Sequence, residues 1–384
     1  DKTSNYDWGT DTAGNNARIG MRQLYIDWLV PQTNVQVRIG RQLVGLPNDA
    51  FGKSAIMHSG WNGRDGVVVA APVTDWLDVS AFWLRGAYDN NYSNDTDRSN
   101  KSDFFGAVTN FKFDGFAFSP YVMYASLDQE GSVDPKVDAH ILDNSPDGLG
   151  GSMLKGNGNA FWAGTNFVMS YFDPFVLKIS GAYGMIAYDG GEFDGMNPHD
   201  RNGWQIQALA SYKTAYGTPI FGGWYASGDD SDVQYLGQDW IPAWAGRFHP
   251  TYAYQDGEYG MYGNNARHAI AGTWGLQLGI DEVSFLQDLT HKFTVTWFQG
   301  TNEAGEALNA MKGSAAVNPV KYMTKNDNAV EFNLANTYQI YKNLSVCLEL
   351  AYIITDYDKG DHRAWAAANE TDKDSWSTAL TFQY

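Results

Sequence analysis

Cysteine is almost absent from this chain: Cys347 is the only one among 384 residues. A single thiol excludes an internal disulfide framework and any metal site built on paired cysteines. Long hydrophobic runs are missing as well. No segment approaches the roughly 18 consecutive apolar residues of a membrane-spanning helix, and no stretch sustains a 3.6-residue period. Basic residues are scarce beside acidic ones, 26 Lys and Arg against 44 Asp and Glu, giving a formal net charge of -18. That balance argues against a nucleic-acid partner, which requires clustered Lys and Arg. No signal peptide is visible at Asp1, so the sequence reads as a mature or truncated chain.

What the chain has instead is aromatic residues and glycine: 14 Trp, 23 Tyr and 20 Phe beside 41 Gly. Such a mixture suits β structure with aromatic girdles at a lipid–water boundary. The polar mean hydropathy does not oppose this, because a barrel strand shows the bilayer only every second residue.

Alternation is clearest in the C-terminal half. Val330, Phe332, Leu334, Tyr338 and Ile340 alternate with Glu331, Asn333, Thr337 and Gln339. Leu344, Val346, Leu348, Leu350, Tyr352 and Ile354 then alternate with Ser345, Cys347, Glu349 and Ala351. A period of two over ten or so residues is a strand with one greasy and one wet face. The same pattern covers Phe175–Met185, Trp204–Tyr212 and Ile270–Asp281. Weaker forms cover Arg18–Val30, Val35–Leu43, Gly66–Ala71, Leu77–Tyr88, Phe104–Phe113, Phe116–Leu127, Phe161–Phe172, Ile220–Ser227, Phe293–Gln299 and Trp376–Tyr384. These make about fifteen strand candidates by period.

Connection length carries a second signal. Short links are Pro31–Asn34, Pro72–Trp76, Asp114–Gly115, Asp173–Pro174 and Tyr341–Asn343. Long links are Val44–Asp65, Asp89–Asp103, Gln129–Asn159, Asp189–Asn202, Gly228–Arg267, Asn302–Asn328 and Asp356–Asp374, and they hold much of the acidic charge. Short turns on one rim and long loops on the other describe an outer-membrane barrel, and a soluble sandwich has no reason to segregate them. The expected fold is a single all-β domain over residues 1–384, a transmembrane antiparallel barrel with short periplasmic turns and long extracellular loops. Parity then constrains the strand number. Trp376–Tyr384 and Arg18–Val30 both run toward the short-turn rim, so an odd number of strands must precede Arg18. Asp1–Gly9 as the tip of one strand gives 16; as the end of a longer segment with two further strands it gives 18.

A barrel this wide leaves an aqueous channel, which implies a porin passing small hydrophilic solutes and ions by diffusion across the outer membrane of a Gram-negative bacterium. Alternation assigns Asp27, Arg38, Lys178, Gln205, Gln207, Gln277, Glu331, Asn333 and Glu349 to the lumen. Arg38, between Val37 and Ile39, must oppose their lipid-facing side, since a charge facing mid-membrane lipid costs roughly 2–4 kcal/mol. The alternative for any one of these residues is that it braces the inner wall by pairing. Net charge does not set ion selectivity, because exposed loop charges are screened within about 8–10 Å.

Two segments carry a family resemblance. Trp376-x-Thr378-x-Leu380-x-Phe382-x-Tyr384 is similar to the terminal strand of outer-membrane proteins, whose aromatic last residue is read by the barrel-assembly machinery. Met21–Gln42 resembles the strand pair of trimeric porins that ends in Gly-Arg-Gln. More narrowly, R-Q-L-Y-I-D-W-L-V-P-Q-T-N with Leu46-Pro47 downstream resembles the homotrimeric porins of Desulfovibrio-type sulfate-reducing bacteria. The resemblance implies a homotrimer, three strands before this pair and hence 18 in all. It also implies that the following loop, residues 44–65, folds into the barrel as a constriction, bringing Asp49, Lys53, His58 and Arg64 near the path. The other reading of that loop is an exposed cover over the mouth or a neighbouring subunit.

The long loop Gly228–Arg267 is unusually aromatic, with Tyr235, Trp240, Trp244, Phe248, Tyr252, Tyr254, Tyr259 and Tyr262. Aromatic faces stack on sugar rings, but such a cluster more often packs a loop on itself or on another subunit. No cofactor is expected. Loop-bound divalent cations such as calcium, bridging to lipopolysaccharide, remain compatible with the acidic surface, although no spacing specifies a calcium site. The seven histidines, His58, His140, His199, His249, His268, His291 and His362, lie mostly in loops, and Gly-x-Ser-x-Gly is absent. A barrel enzyme and a secreted carbohydrate-active β protein are therefore the weaker classes. A saccharide- or anion-specific channel is the live alternative to a general porin.

Overall fold

The computed structural model describes residues 5–6, 19–20, 23–52, 54–57, 63–88, 101–128, 158–188, 200–233, 236–243, 248, 250–254, 271–305, 308, 319, 322–362 and 374–384. A short ladder pairs β1 (Asn5–Tyr6) with β2 (Ile19–Gly20). The wall follows as β3 (Leu24–Leu29), β4 (Gln36–Gln42), β5 (Arg64–Thr74), β6 (Leu77–Tyr88), β7 (Lys101–Phe113) and β8 (Phe116–Asp128). It continues through β9 (Gly158–Met169), β10 (Phe175–Tyr188), β11 (Arg201–Tyr212), β12 (Thr218–Ala226) and β13 (Thr273–Leu286). It ends with β14 (Leu289–Gly300), β15 (Asn328–Tyr341), β16 (Leu344–Asp356) and β17 (Asp374–Gln383). From β3 to β17 each strand pairs with the next, giving one 15-stranded antiparallel sheet with β3 and β17 at its two edges. Those edges run in the same direction, as the parity expectation requires.

Every second connection is short. Asp75–Trp76, Asp114–Gly115, Gln287–Asp288 and Lys342–Asn343 are two-residue turns, and Val30–Val35, Ser170–Pro174 and Lys213–Gly217 are only slightly longer. Asp114-Gly115 shows why such a turn works, because Gly115 sits at φ +77° and lets the backbone twist with the strands. Lys213–Gly217 and Gln287–Asp288 escape the sequence pattern. β13 runs past Ile280 through register shifts at Val283 and Leu286, with Glu282 at φ 55°. Bulges break the period of two, and so conceal the last turn of β13 and the first of β14. Likewise Pro72, expected in a link, belongs to β5 beside a register shift before Thr74, where a proline is tolerated.

The wall is inverted relative to a soluble protein. On β13, Leu276 and Leu278 are 46% and 63% exposed while Gln277 between them is 5% exposed. Across the next strands Phe332, Leu348 and Leu350 face outward, whereas Glu331, Asn333 and Glu349 are buried. So broad an apolar surface is stable only against hydrocarbon. Two aromatic bands frame it. Near the short turns Trp76 stacks on Phe111 and Phe113, and Phe113 packs at a tilt against Phe116. Toward the long loops Phe105, Tyr124 and Phe161 point outward. Just beyond them lie two outward ion pairs in direct cross-strand register. Arg41 grips Asp65 through two bonds of 2.9 Å, and Arg85 lies 2.7 Å from Asp103, which also accepts from Trp83 Nε1 at 2.9 Å. These features define a transmembrane antiparallel β-barrel of the outer-membrane type.

Replacing Leu278 by Lys should destabilise the barrel by about 2–4 kcal/mol in phospholipid vesicles, whereas Leu286→Lys at the short-turn rim should cost about 1 kcal/mol or less. Urea unfolding followed by Trp fluorescence checks this, and equal losses at the two positions would refute the assigned belt.

Candidate functional site

The lumen is occupied by two inward-folded loops, each held by polar side chains of the wall. The first follows β4. Its backbone closes on itself through Leu46 N to Met57 O at 3.1 Å and Ala55 N to Asn48 O at 3.0 Å. Leu46, Ala50, Ile56 and Met57 are buried. Asn48 reaches across to β11, where its Oδ1 accepts from Gln205 Nε2 at 2.6 Å and Gln207 Nε2 at 3.2 Å. The Ala50 amide donates to Ser180 Oγ on β10 at 3.1 Å, and Ser180 donates to Asn166 on β9 at 2.7 Å. Asn166 Nδ2 in turn donates to Asp49 Oδ1 at 2.9 Å. Burial holds the Asp49 carboxyl above the usual carboxylate range, with Lys178 pulling the other way.

The second loop follows β12. Asp229 organises its base, accepting from the amides of Gly237 at 2.5 Å and Asp239 at 2.9 Å and from Tyr322 Oη at 3.0 Å. Burial raises this carboxyl too, and outweighs those donors. Trp240 stacks on Tyr322 and donates to Asn302 Oδ1 at 2.6 Å. Farther along, Pro250 O accepts from Gln277 Nε2 at 2.6 Å, and the amides of Tyr252, Ala253 and Tyr254 all donate to Glu331. The two loops meet where Phe51 packs edge-on against Phe248, with ring centroids 5.5 Å apart.

A third cluster ties two rim links together. Asp327 accepts from the Asp358 amide at 2.7 Å and from Thr324, and its Oδ2 lies 2.7 Å from His362 Nε2. His362 and Asp327 side chains are fully buried, so this pair braces the rim. Among the described residues no group of three or more His, Cys, Asp or Glu side chains is placed to hold a metal ion.

The inner face changes character along the barrel. Toward the long loops it is apolar, with Leu84, Phe104, Met123, Trp162, Ile186, Trp224 and Phe298 packed against the loops as a core. Toward the short turns it is polar and hollow. A cavity of about 490 Å³ lies between Gly45, Leu46, Pro47, Asp49 and Ser54 of the first loop and Ser80, Val108 and Asn110 of the wall. Another, of about 200 Å³, is bounded by Phe51, Lys178, Pro250, Tyr252, Gln277, Asp281, Lys292 and Thr294. Gly52, at φ +102°, borders both, and a side chain built there would meet nothing within 4 Å.

The residues assigned to the lumen from alternation fall into three groups. Asp27 and Arg38 face each other across β3 and β4 in a bidentate pair of 2.7 and 2.8 Å, with the guanidinium 3.9 Å from the Tyr25 ring centre. Lys178 lines the smaller cavity. Gln205, Gln207, Gln277, Glu331, Asn333 and Glu349 lie on the inner face of the wall, yet all are buried, and the first five bond to the loops or to one another. Of the expected constriction residues, Asp49 sits inside the barrel, Arg64 is the first residue of β5, and Lys53 and His58 lie outside the described residues. In the aromatic loop, Trp240, Phe248, Tyr252 and Tyr254 pack into the barrel mouth, while Tyr235, Trp244, Tyr259 and Tyr262 lie outside the described residues. Asn48 and Asn166 join these contacts although the alternation does not single them out, and Ser180, on the same strand face as Lys178, joins them as well. The available signal was the pairing of amide and acid side chains two apart on one strand face, Gln205 with Gln207 and Glu331 with Asn333, a spacing suited to clasping a polar loop.

No protein-family model matches the chain, and no curated protein matches it. Among solved structures it is similar to Pseudomonas aeruginosa OccK3 (OpdO), at 13% identity over 91% of this chain and 76% of that one, with a TM-score of 0.48. It is also similar to Acinetobacter baumannii OccAB1, at 15% identity over 91% of this chain and 74% of that one, with a TM-score of 0.46.

Truncating Asn48 to Ala takes the acceptor from the Gln205 amide and leaves Gln207 only its bond to Gln205 Oε1, at a cost of about 1–3 kcal/mol. The expected result is faster proteolytic cleavage within residues 43–63 of the folded barrel. Unchanged cleavage kinetics would show that the loop is held by other contacts.

Proposed function

We propose that this chain is an outer-membrane porin that passes small hydrophilic solutes and ions by passive diffusion, with the loop after β4 as its constriction. The observation that carries this reading is the loop itself. It lies across the lumen on neutral hydrogen bonds to Ser180, Gln205 and Gln207, and polar cavities remain beside it. A structural plug would gain by filling those spaces with apolar side chains. Instead Asp49, Lys178, Asp281 and Lys292 are set around them, charges that hydrated solutes tolerate and apolar solutes do not. The homotrimer belongs to the same reading and rests on the resemblance of Met21–Gln42, while contact with lipopolysaccharide rests on the acidic surface and the divalent cations it would bind.

A substrate-specific channel is the second reading, favoured by the small cavity in which Phe51 and Tyr252 stand beside Lys178 and Lys292. Both rings and cations there would grip a flat or anionic solute rather than merely admit it.

Single-channel conductance in planar bilayers, with sugars of graded size, separates the two. Steps insensitive to any one sugar and closing in threes support the general trimeric porin. Saturable block by one solute supports the specific channel, and absence of current from correctly folded protein refutes both. Because Asp49 is held above the usual carboxylate range, it gains its proton early as pH falls. Cation preference should therefore decline with falling pH through that raised window, and Asp49→Asn should remove the step. A titration unchanged by D49N would take Asp49 out of the path.

A further inference from the structure

We infer that Glu331 is the positioning residue that straps the turn at residues 250–254 across the lumen and thereby sets the width of the solute path. The inference rests on the channel reading above and assigns the second loop its role in it.

The geometry is that of one carboxylate taking three successive backbone amides. Glu331 Oε1 accepts from Tyr252 N at 2.6 Å and Ala253 N at 2.8 Å, and Oε2 accepts from Tyr254 N at 3.0 Å. Consecutive amides converging on an anion form a nest, and charge-assisted bonds of this kind are the strong ones. The fastening uses backbone donors, so it fixes the path of the loop. The neighbouring anchors are neutral. Pro250 O accepts from Gln277 of β13 and from Thr296 of β14, and Asn333 Oδ1 accepts from Tyr252 N at 3.3 Å. Asn333 is itself steadied by Thr294, its Nδ2 donating to Thr294 Oγ1 at 3.3 Å. Three adjacent strands thus present one row of anchors to one turn, with a single charge at its centre.

A porin wall has a simpler use for an inward-facing acid, which is to leave it hydrated in the lumen. Glu331 is instead fully buried beneath the turn. Removing a carboxylate from water is costly unless its oxygens are satisfied, and here the turn satisfies them. Seated, the turn places Pro250 and Tyr252 on the edge of the smaller cavity, opposite Phe51 and Gly52 of the first loop. The gap between the two loops is therefore set from one side by Asn48 and from the other by Glu331.

The chain carries its own reporter. Cys347 is buried in a cluster with Tyr252, Ala335 and Ala351, so the turn covers the only thiol. Full-length protein with Glu331→Ala, and separately Ala253→Pro, which removes one amide donor from the loop side and leaves the wall intact, should be compared with the unmodified chain. Labelling of Cys347 by a small charged methanethiosulfonate should accelerate at least about tenfold in both variants, as expected when a local opening becomes favourable. Conductance and the size of the largest polyethylene glycol admitted should rise with it. Buried Cys347 with unchanged conductance in a folded E331A barrel overturns the proposal. A reactive thiol without a wider path overturns its second half, since the strap would then be held by Glu331 without setting the width. If none of the three proteins conducts while E331A exposes the thiol, the channel reading fails and the strap itself is supported.

Discussion

Inside a bilayer the peptide group has no water to bond, and this constraint orders everything else in the molecule. Each amide and carbonyl of a spanning segment must find its partner within the protein. Between the two edge strands β3 and β17 the chain meets that demand by pairing each strand with its sequence neighbours on both sides. Once the backbone is committed in this way, successive side chains must point alternately to hydrocarbon and to the lumen. The apolar half of the strand sequence is spent on the outside. The core of the protein must then be built from what faces in, together with whatever the connections can supply.

That is why the loops matter as much as the wall. Seen from within, the barrel resembles a mould whose casting is made by its own connections. In the half near the long loops the mould is apolar and the casting is a hydrophobic core, Trp162 and Phe298 against Trp240, Phe248 and Tyr254. In the half near the short turns the wall carries amides, hydroxyls and charges, and contact is made by hydrogen bonds at a few points with space between. The transition along the axis is one from packing, which excludes solutes, to sparse polar anchoring, which leaves them room.

The wall was legible in the sequence because its determinants are local. Period two on β15 and β16, the Asp114-Gly115 turn and the contrast between short and long links each need only neighbouring residues to be read. Where local regularity fails, so does legibility: the bulges around Glu282 hid a turn, and Pro72 suggested a break that β5 does not contain. The lumen was half legible. Alternation placed Gln205, Gln277 and Glu331 on the inner face, but not what covers them. Whether an inward amide meets water or a loop depends on partners such as Asn48 and Pro250, which lie far off in sequence and follow no period. The resemblance of Met21–Gln42 supplied the idea of an inward loop after β4. Nothing comparable marked the turn at Tyr252, whose backbone amides make the contact and whose side-chain identities are nearly irrelevant to it.

The separation between anchors also dictates a sequence of events during assembly. Asn48 cannot settle until β11 is in place, because its partners Gln205 and Gln207 stand 157 and 159 residues away along the chain. Residues 250–254 must wait for β15, whose Glu331 lies about 80 residues away along the chain. The wall therefore zips up from neighbour to neighbour while its interior is still open, and the interior fills only after distant strands arrive. A barrel caught between those stages would have a finished outside and a wide hole through its middle. For the cell that makes it, the hazardous moment is late in folding, when insertion is complete and the loops have not yet come home.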